Sequence, residues 1–113
     1  MDIRQIAPDY AVSAQIQPDD VAALKDAGFK SIICNRPDNE DPGQPSVASI
    51  QAAAEAAGLQ FRHIPVISGQ MTGADVENQA KALAELPAPV FAYCRSGTRS
   101  TNLYGHVQDL KRG

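Results

Sequence analysis

Residues 89–100 read Pro89-Val90-Phe91-Ala92-Tyr93-Cys94-Arg95-Ser96-Gly97-Thr98-Arg99-Ser100. Behind its proline, the run from Val90 to Tyr93 is short, apolar and aromatic, the pattern of a strand covered on both faces. Cys94 to Gly97 is small and polar, as a tight turn requires. Thr98 to Lys111 then places Leu103, Val107 and Leu110 on one stripe, which predicts a closing helix. The segment is therefore one strand, one turn and one helix.

The same unit recurs upstream. Pro18, Asp19 and Asp20 suit a helix start, Val21, Leu24 and Ala27 share a face, and Gly28 supplies the stop. Phe29 to Cys34 follows as a buried strand. Pro45 can open a second helix that runs through the alanines to Gly58, and Leu59 to Ile64 is the next strand. Thr72 with Asp75 three residues on reads as a capping-box variant for a helix over Gly73–Leu86. At the start of the chain, Ile3–Ile6 and Tyr10–Ser13 flank the Pro8-Asp9 turn as a small β element. Strands alternating with helices predict an α/β fold with a mostly parallel central sheet, flanked by helices and joined by right-handed crossovers, in a single domain over 1–113.

Composition agrees with one domain and excludes several classes. The chain has 113 residues, 43% of them hydrophobic, and a formal charge of −3. Nothing basic enough to hold a polyanion appears, so nucleic acid is not an expected partner. Met1-Asp2-Ile3-Arg4 lacks the apolar core of a signal peptide, and no apolar run could span a bilayer. The expectation is a cytoplasmic protein with reduced thiols and no membrane association. The 2 cysteines, Cys34 and Cys94, do not make a disulfide scaffold. No spacing supports a metal site from Cys34, Cys94 and His63, and no cofactor is expected.

Parallel strands send their following loops to one edge, where ligands of such folds bind. That edge should gather Asn35–Glu40, Pro65–Met71 and Cys94–Arg99. In the last of these, Cys94 faces successive backbone N–H groups, a helix N-terminus and two arginines, all of which favour thiolate over thiol. Cys94 is the expected nucleophile. The amides of Arg95, Ser96, Gly97 and Thr98 form an anion cradle, and Arg99 offers a bidentate contact. Arg95 either lines the cradle or steers anions from outside. In the second loop, Asn35, Arg36 and Asp38 are candidate contacts, although Asp38 between Pro37 and Asn39 equally suits a turn. Arg36 either lines the pocket or pairs with Asp38 or Glu40. His63 reads as a satisfied strand histidine and His106 as a surface or packing residue.

The stretches VSAQIQPDDVAALKDAGFKSIICNRPD, HIPV and AYCRSGTRS resemble the cysteine-dependent phosphatase superfamily. Most closely they resemble the bacterial phosphatase-like family (DUF442) typed by the N-terminal domain of beta-lactamase hydrolase-like proteins. The resemblance implies a phosphatase-like fold of the dual-specificity type. It also implies a substrate-side role for Ser100, as a donor to the thiolate or simply a first-turn helix serine. By the same resemblance Cys34 is a candidate resolving cysteine, or else a small buried residue. The family's fusion to metallo-hydrolase-like domains implies a partner of the metallo-hydrolase or persulfide dioxygenase type.

Two departures from the phosphatase pattern bear on the reaction. Phosphatases of this type carry five residues between Cys and Arg, whereas only four separate Cys94 from Arg99, as in the rhodanese loop. The loop Pro65–Met71 also holds no carboxylate to protonate a leaving oxygen. Both favour a rhodanese-like sulfurtransferase that forms a persulfide on Cys94, taking sulfur from a small anionic donor and passing it to a thiol or cyanide. The alternatives are a phosphoester phosphatase working through phosphocysteine, and a non-catalytic anion-binding or persulfide-relay domain.

Overall fold

The computed structural model describes residues 1–112. β1 (Arg4–Ala7) and β2 (Tyr10–Ser13) form an antiparallel hairpin around Pro8-Asp9. A 3-10 turn over Pro18–Asp20 leads into α1 (Val21–Asp26). Then come β3 (Ser31–Cys34), α2 (Val47–Ala56), β4 (Gln60–His63), α3 (Gly73–Glu85), β5 (Val90–Tyr93) and α4 (Thr98–Arg112). The sheet order is β1-β2-β5-β3-β4, and every pairing except β1–β2 is parallel. The expected α/β fold with a mostly parallel sheet is thus present. β2 also joins the parallel set as neighbour of β5, a pairing that the turn between the first two strands does not announce.

Side chains alternate across this sheet as strand geometry demands. Ala11, Ile32, Phe91 and Tyr93 face α1 and α2, where Leu24 and Ile50 complete one half of the core. Tyr10, Val12, Ile33, Val90 and Ala92 face the other way, toward Ala82 of α3 and Tyr104 of α4. Because β2, β3 and β5 are covered on both sides they are buried throughout, whereas the edge strands β1 and β4 are largely exposed. The capping box at Thr72 and Asp75 closes as the sequence predicts, with reciprocal bonds of 3.1 and 3.0 Å. Among the described residues, no helix is long and apolar enough to cross a membrane.

Register fixes where a site can form. Ser13 and Cys34 both pair with Tyr93, and Cys34 also pairs with His63. Four strands therefore end level, and the loops that follow them open on one edge. β5 lies at the centre of that edge, so the loop beginning at Cys94 has neighbours on both sides.

Candidate functional site

Cys94 follows β5 directly and is fully buried. The loop is tied down from outside. Arg4 Nη2 on β1 donates to the Ser96 carbonyl at 2.7 Å, and the Gln15 N–H donates to the Arg95 carbonyl at 3.3 Å. In a trans peptide the next N–H points opposite to the carbonyl, so tying these carbonyls outward turns the amides of Ser96 and Gly97 inward. The Gly97 N–H indeed donates to Cys94 Sγ at 3.1 Å. Gly97 has φ +93°, and a Cβ there would overlap the Arg4 guanidinium and stand 3.3 Å from the Ser13 carbonyl carbon. Glycine is required on both counts. The Ser96 hydroxyl turns away from the sulfur and bonds Thr98 Oγ1 at 3.1 Å at the start of α4.

Arg99, one residue into α4, is buried and its five N–H groups can be counted. Nη1 donates to Glu40 Oε2 at 2.8 Å and to the Val66 carbonyl at 2.7 Å. Nη2 donates to Glu40 Oε1 at 2.9 Å. Glu40 thus grips the end of the guanidinium. The side edge, Nε–H with the adjacent Nη2–H, meets no oxygen among the described residues and lies near the Cys94 sulfur; such an edge is a ready fork for two anionic oxygens. Hydrogen bonding to Glu40 pushes Arg99 further toward its charged form against the opposing effect of burial, and the neighbouring Cys94 sulfur adds to that push.

Arg36 is 3% exposed and organises the loop after β3 from within. Its Nε donates to Glu40 Oε1 at 2.7 Å, Nη2 to Asp41 at 2.7 Å, and Nη1 to Gln15 at 3.0 Å. Of the two pairings open to it, Arg36 takes Glu40. Arg95 is 69% exposed with Nε 3.2 Å from Asp41, which places it on the rim. His63 Nε2–H donates to the Arg36 carbonyl at 2.9 Å, a satisfied strand histidine as expected.

Three expected contacts lie elsewhere. Asp38 does not reach the loop; its Oδ1 accepts from the Val47 N–H at 2.8 Å and caps α2. Asn35 and Ser100 are fully buried beneath the loop rather than lining it. The Ser100 hydroxyl donates to Asn35 Oδ1 at 2.9 Å, not to the Cys94 sulfur, because α4 directs Ser100 into the sheet. Asn35 Nδ2 donates to Gln79 Oε1 at 2.8 Å and to the Ile64 carbonyl at 3.1 Å. Gln79 Nε2 donates to the Tyr10 oxygen at 3.2 Å, and Tyr10 in turn donates to the Ser100 carbonyl at 2.8 Å. Burial pushes the Tyr10 hydroxyl well up, so it remains a donor. Cys34 is a buried thiol bonded to the Arg36 carbonyl at 3.3 Å, and burial raises its pKa, which disfavours the thiolate. Both cysteines are unbridged.

Glu40, read from the sequence only as a possible partner of Arg36, also grips Arg99 beside the loop. Its carboxyl is held below the ordinary 4.5 by the hydrogen bond from Arg99, with Arg36 adding to the effect against burial. A depressed carboxylate stabilises the fold in full above its unfolded value and loses that contribution as pH falls through the folded value. Stability should therefore fall as pH drops below 4.5, and Glu40→Gln should flatten that part of the profile. Urea midpoints taken from about pH 6 to about pH 3 would show this. An unchanged acid limb would mean that the Glu40–Arg99 pair carries no linkage.

A cleft of about 640 Å³ opens beside the loop, between Ile67 and Met71 on one side and Arg95, Arg99, Asn102 and His106 on the other. A smaller one, about 260 Å³, lies between Glu40, Asp41, Ser68 and Arg95. His106 is the surface residue expected from the sequence, and it stands at the lip of this cleft.

The phosphatase-like domain model of beta-lactamase hydrolase-like proteins matches residues 2–111. A beta-lactamase hydrolase-like protein of Agrobacterium fabrum is 46% identical over 85 residues, which are 75% of this chain and 20% of that protein. The chain therefore spans about a fifth of the length of that curated relative. A presumptive phosphatase from Neisseria meningitidis superposes with TM-score 0.83 at 37% identity, covering 89% of this chain and 72% of that one. The catalytic core of the PP-IP phosphatase Siw14 from S. cerevisiae superposes with TM-score 0.75 over 98% of this chain and 67% of that one. At 12% identity that last likeness is one of fold alone.

Proposed function

The chain belongs to the phosphatase-like domain family of beta-lactamase hydrolase-like proteins, and from that membership we propose that it is a cysteine-dependent phosphomonoester hydrolase. The observation that carries the reading is the division of Arg99. Glu40 and the Val66 carbonyl occupy three of its N–H groups and leave the Nε/Nη2 edge for an anion beside the Cys94 sulfur. In the reaction, a sulfur lone pair forms the S–P bond while the P–O bond to the leaving group breaks and that oxygen departs with the electron pair. Water then attacks phosphorus, releasing a proton to solvent as the new P–O bond forms, and the P–S electrons return to Cys94 as the thiolate. Arg99 and the inward amides hold the equatorial oxygens in both steps, where charge is spread over them.

The four-residue spacing between Cys94 and Arg99 supports a second reading, transfer of sulfane sulfur, because a shorter ring of amides suits a single terminal sulfur atom. One experiment separates the two. The protein is offered 4-nitrophenyl phosphate and, separately, thiosulfate with cyanide, and intact mass is read after a rapid acid quench. Phosphatase action gives inorganic phosphate and an adduct of about 80 Da on Cys94. Thiocyanate with an adduct of about 32 Da, and no phosphate release, would replace it by sulfur transfer. Binding without either adduct would leave an anion-binding domain.

A further inference from the structure

The larger cleft exceeds what a phosphoryl group needs. At about 640 Å³ it falls among sites that enclose a whole organic ligand. Its walls differ in character. Val66, Ile67 and Met71, on the loop after β4, make an apolar one. Ile67 is 57% exposed there, outside both halves of the core. α4 makes the other, presenting Asn102 and His106 one turn apart on the face that begins at Arg99. Both side chains are exposed and neither has a hydrogen-bond or ion-pair partner among the described residues. None of the described residues lining this cleft is a carboxylate.

Resting on the phosphatase reading, we infer that this cleft seats the leaving group and that the substrate is an aryl phosphomonoester bearing a second, anionic acceptor about 10 Å from phosphorus. The spacing follows from α4, since the seven residues from Arg99 to His106 rise about 10 Å along a helix. The ring lies against Ile67 and Met71, and the distal acid accepts from Asn102 Nδ2 and an imidazole N–H of His106. The loop Pro65–Met71 points the same way, because it holds no acid to protonate a departing oxygen. A phenolate leaves without that help and takes its proton from water afterwards, whereas an alkoxide leaves poorly.

The test compares 3-(4-phosphonooxyphenyl)propanoate with its methyl ester, which keeps the ring and removes the charge. The wild-type protein should show a KM about tenfold lower for the acid, the effect of one charge-assisted contact. In the Asn102→Ala/His106→Ala double variant the ratio of the two KM values should fall to about one. Equal KM values in the wild type, or a ratio that survives in the variant, would overturn the subsite while leaving the phosphatase reading in place. If neither ester turns over, the phosphatase reading fails, and the corresponding difluoromethylphosphonates are titrated calorimetrically. Tighter binding of the acid that collapses in the variant then upholds the subsite, and equal or absent binding rejects it.

Discussion

If the proposed phosphatase reaction holds, Cys94→Ser should lower aryl phosphate turnover by about four orders of magnitude or more. The hydroxyl is close to the thiol in size, and the Gly97 N–H that meets the sulfur at 3.1 Å can meet an oxygen instead. The fold and the anion cradle are therefore retained. What is lost is the nucleophile, since a serine hydroxyl stays protonated at neutral pH unless a base removes its proton. No base stands ready: Glu40 is committed to Arg99 and Arg36, and Arg99 is itself a cation. The variant should still bind the substrate anion through the Arg99 fork, with a thermal midpoint close to that of the wild type. Steady-state assay together with a melting curve checks both halves. Retained turnover in a folded variant would remove Cys94 from the chemistry.

Asn35→Ala is expected to be the most damaging change outside the loop, at about 3–5 kcal/mol of stability. Asn35 is 0% exposed and serves three groups at once, the Ser100 hydroxyl, Gln79 Oε1 and the Ile64 carbonyl. Truncation leaves all three buried without their partner, and each such group costs about 1–3 kcal/mol, less where the void admits water. In a domain of this size the loss corresponds to a fall on the order of 10–20 °C in Tm. Ser100→Ala removes only one donor and should cost about 1–2 kcal/mol. Chemical denaturation of both variants tests the network. A loss below about 1 kcal/mol for Asn35→Ala would mean that its three partners find others.

The loop from Cys94 to Arg99 is legible in the sequence because its parts are neighbours. Cys94, Gly97 and Arg99 lie within six consecutive residues, and the strand before them and the helix after them follow from local pattern. The edge on which the site forms is legible too, since parallel strands dictate it. Partnerships across the chain are not. Glu40 reaches Arg99 over 59 positions and Asn35 reaches Ser100 over 65, and neither leaves any periodicity to read. Glu40 stands in a loop already assigned to the right edge, so the remaining signal was an acid facing an unpaired cation across that edge. Asp38, a candidate contact from the same loop, instead sits in the turn that Pro37 and Asn39 suit, and its carboxylate accepts the first N–H of α2. Ser100 follows the same logic, since a residue next to the arginine in sequence is rotated by the helix into the sheet.

The Arg4–Ser96 bond spans 92 positions, nearly the whole chain. It joins the first strand to a loop that follows the last one, so the loop cannot take its final shape while either end is unplaced. Contacts of such separation close late, after the cost of ordering the intervening chain has been met. A partly folded or nascent chain would contain Cys94 without the inward Gly97 amide that meets its sulfur in the complete fold. The geometry around Cys94 is therefore an outcome of complete folding, and any thiol chemistry that depends on it should be missing from every earlier form of the chain.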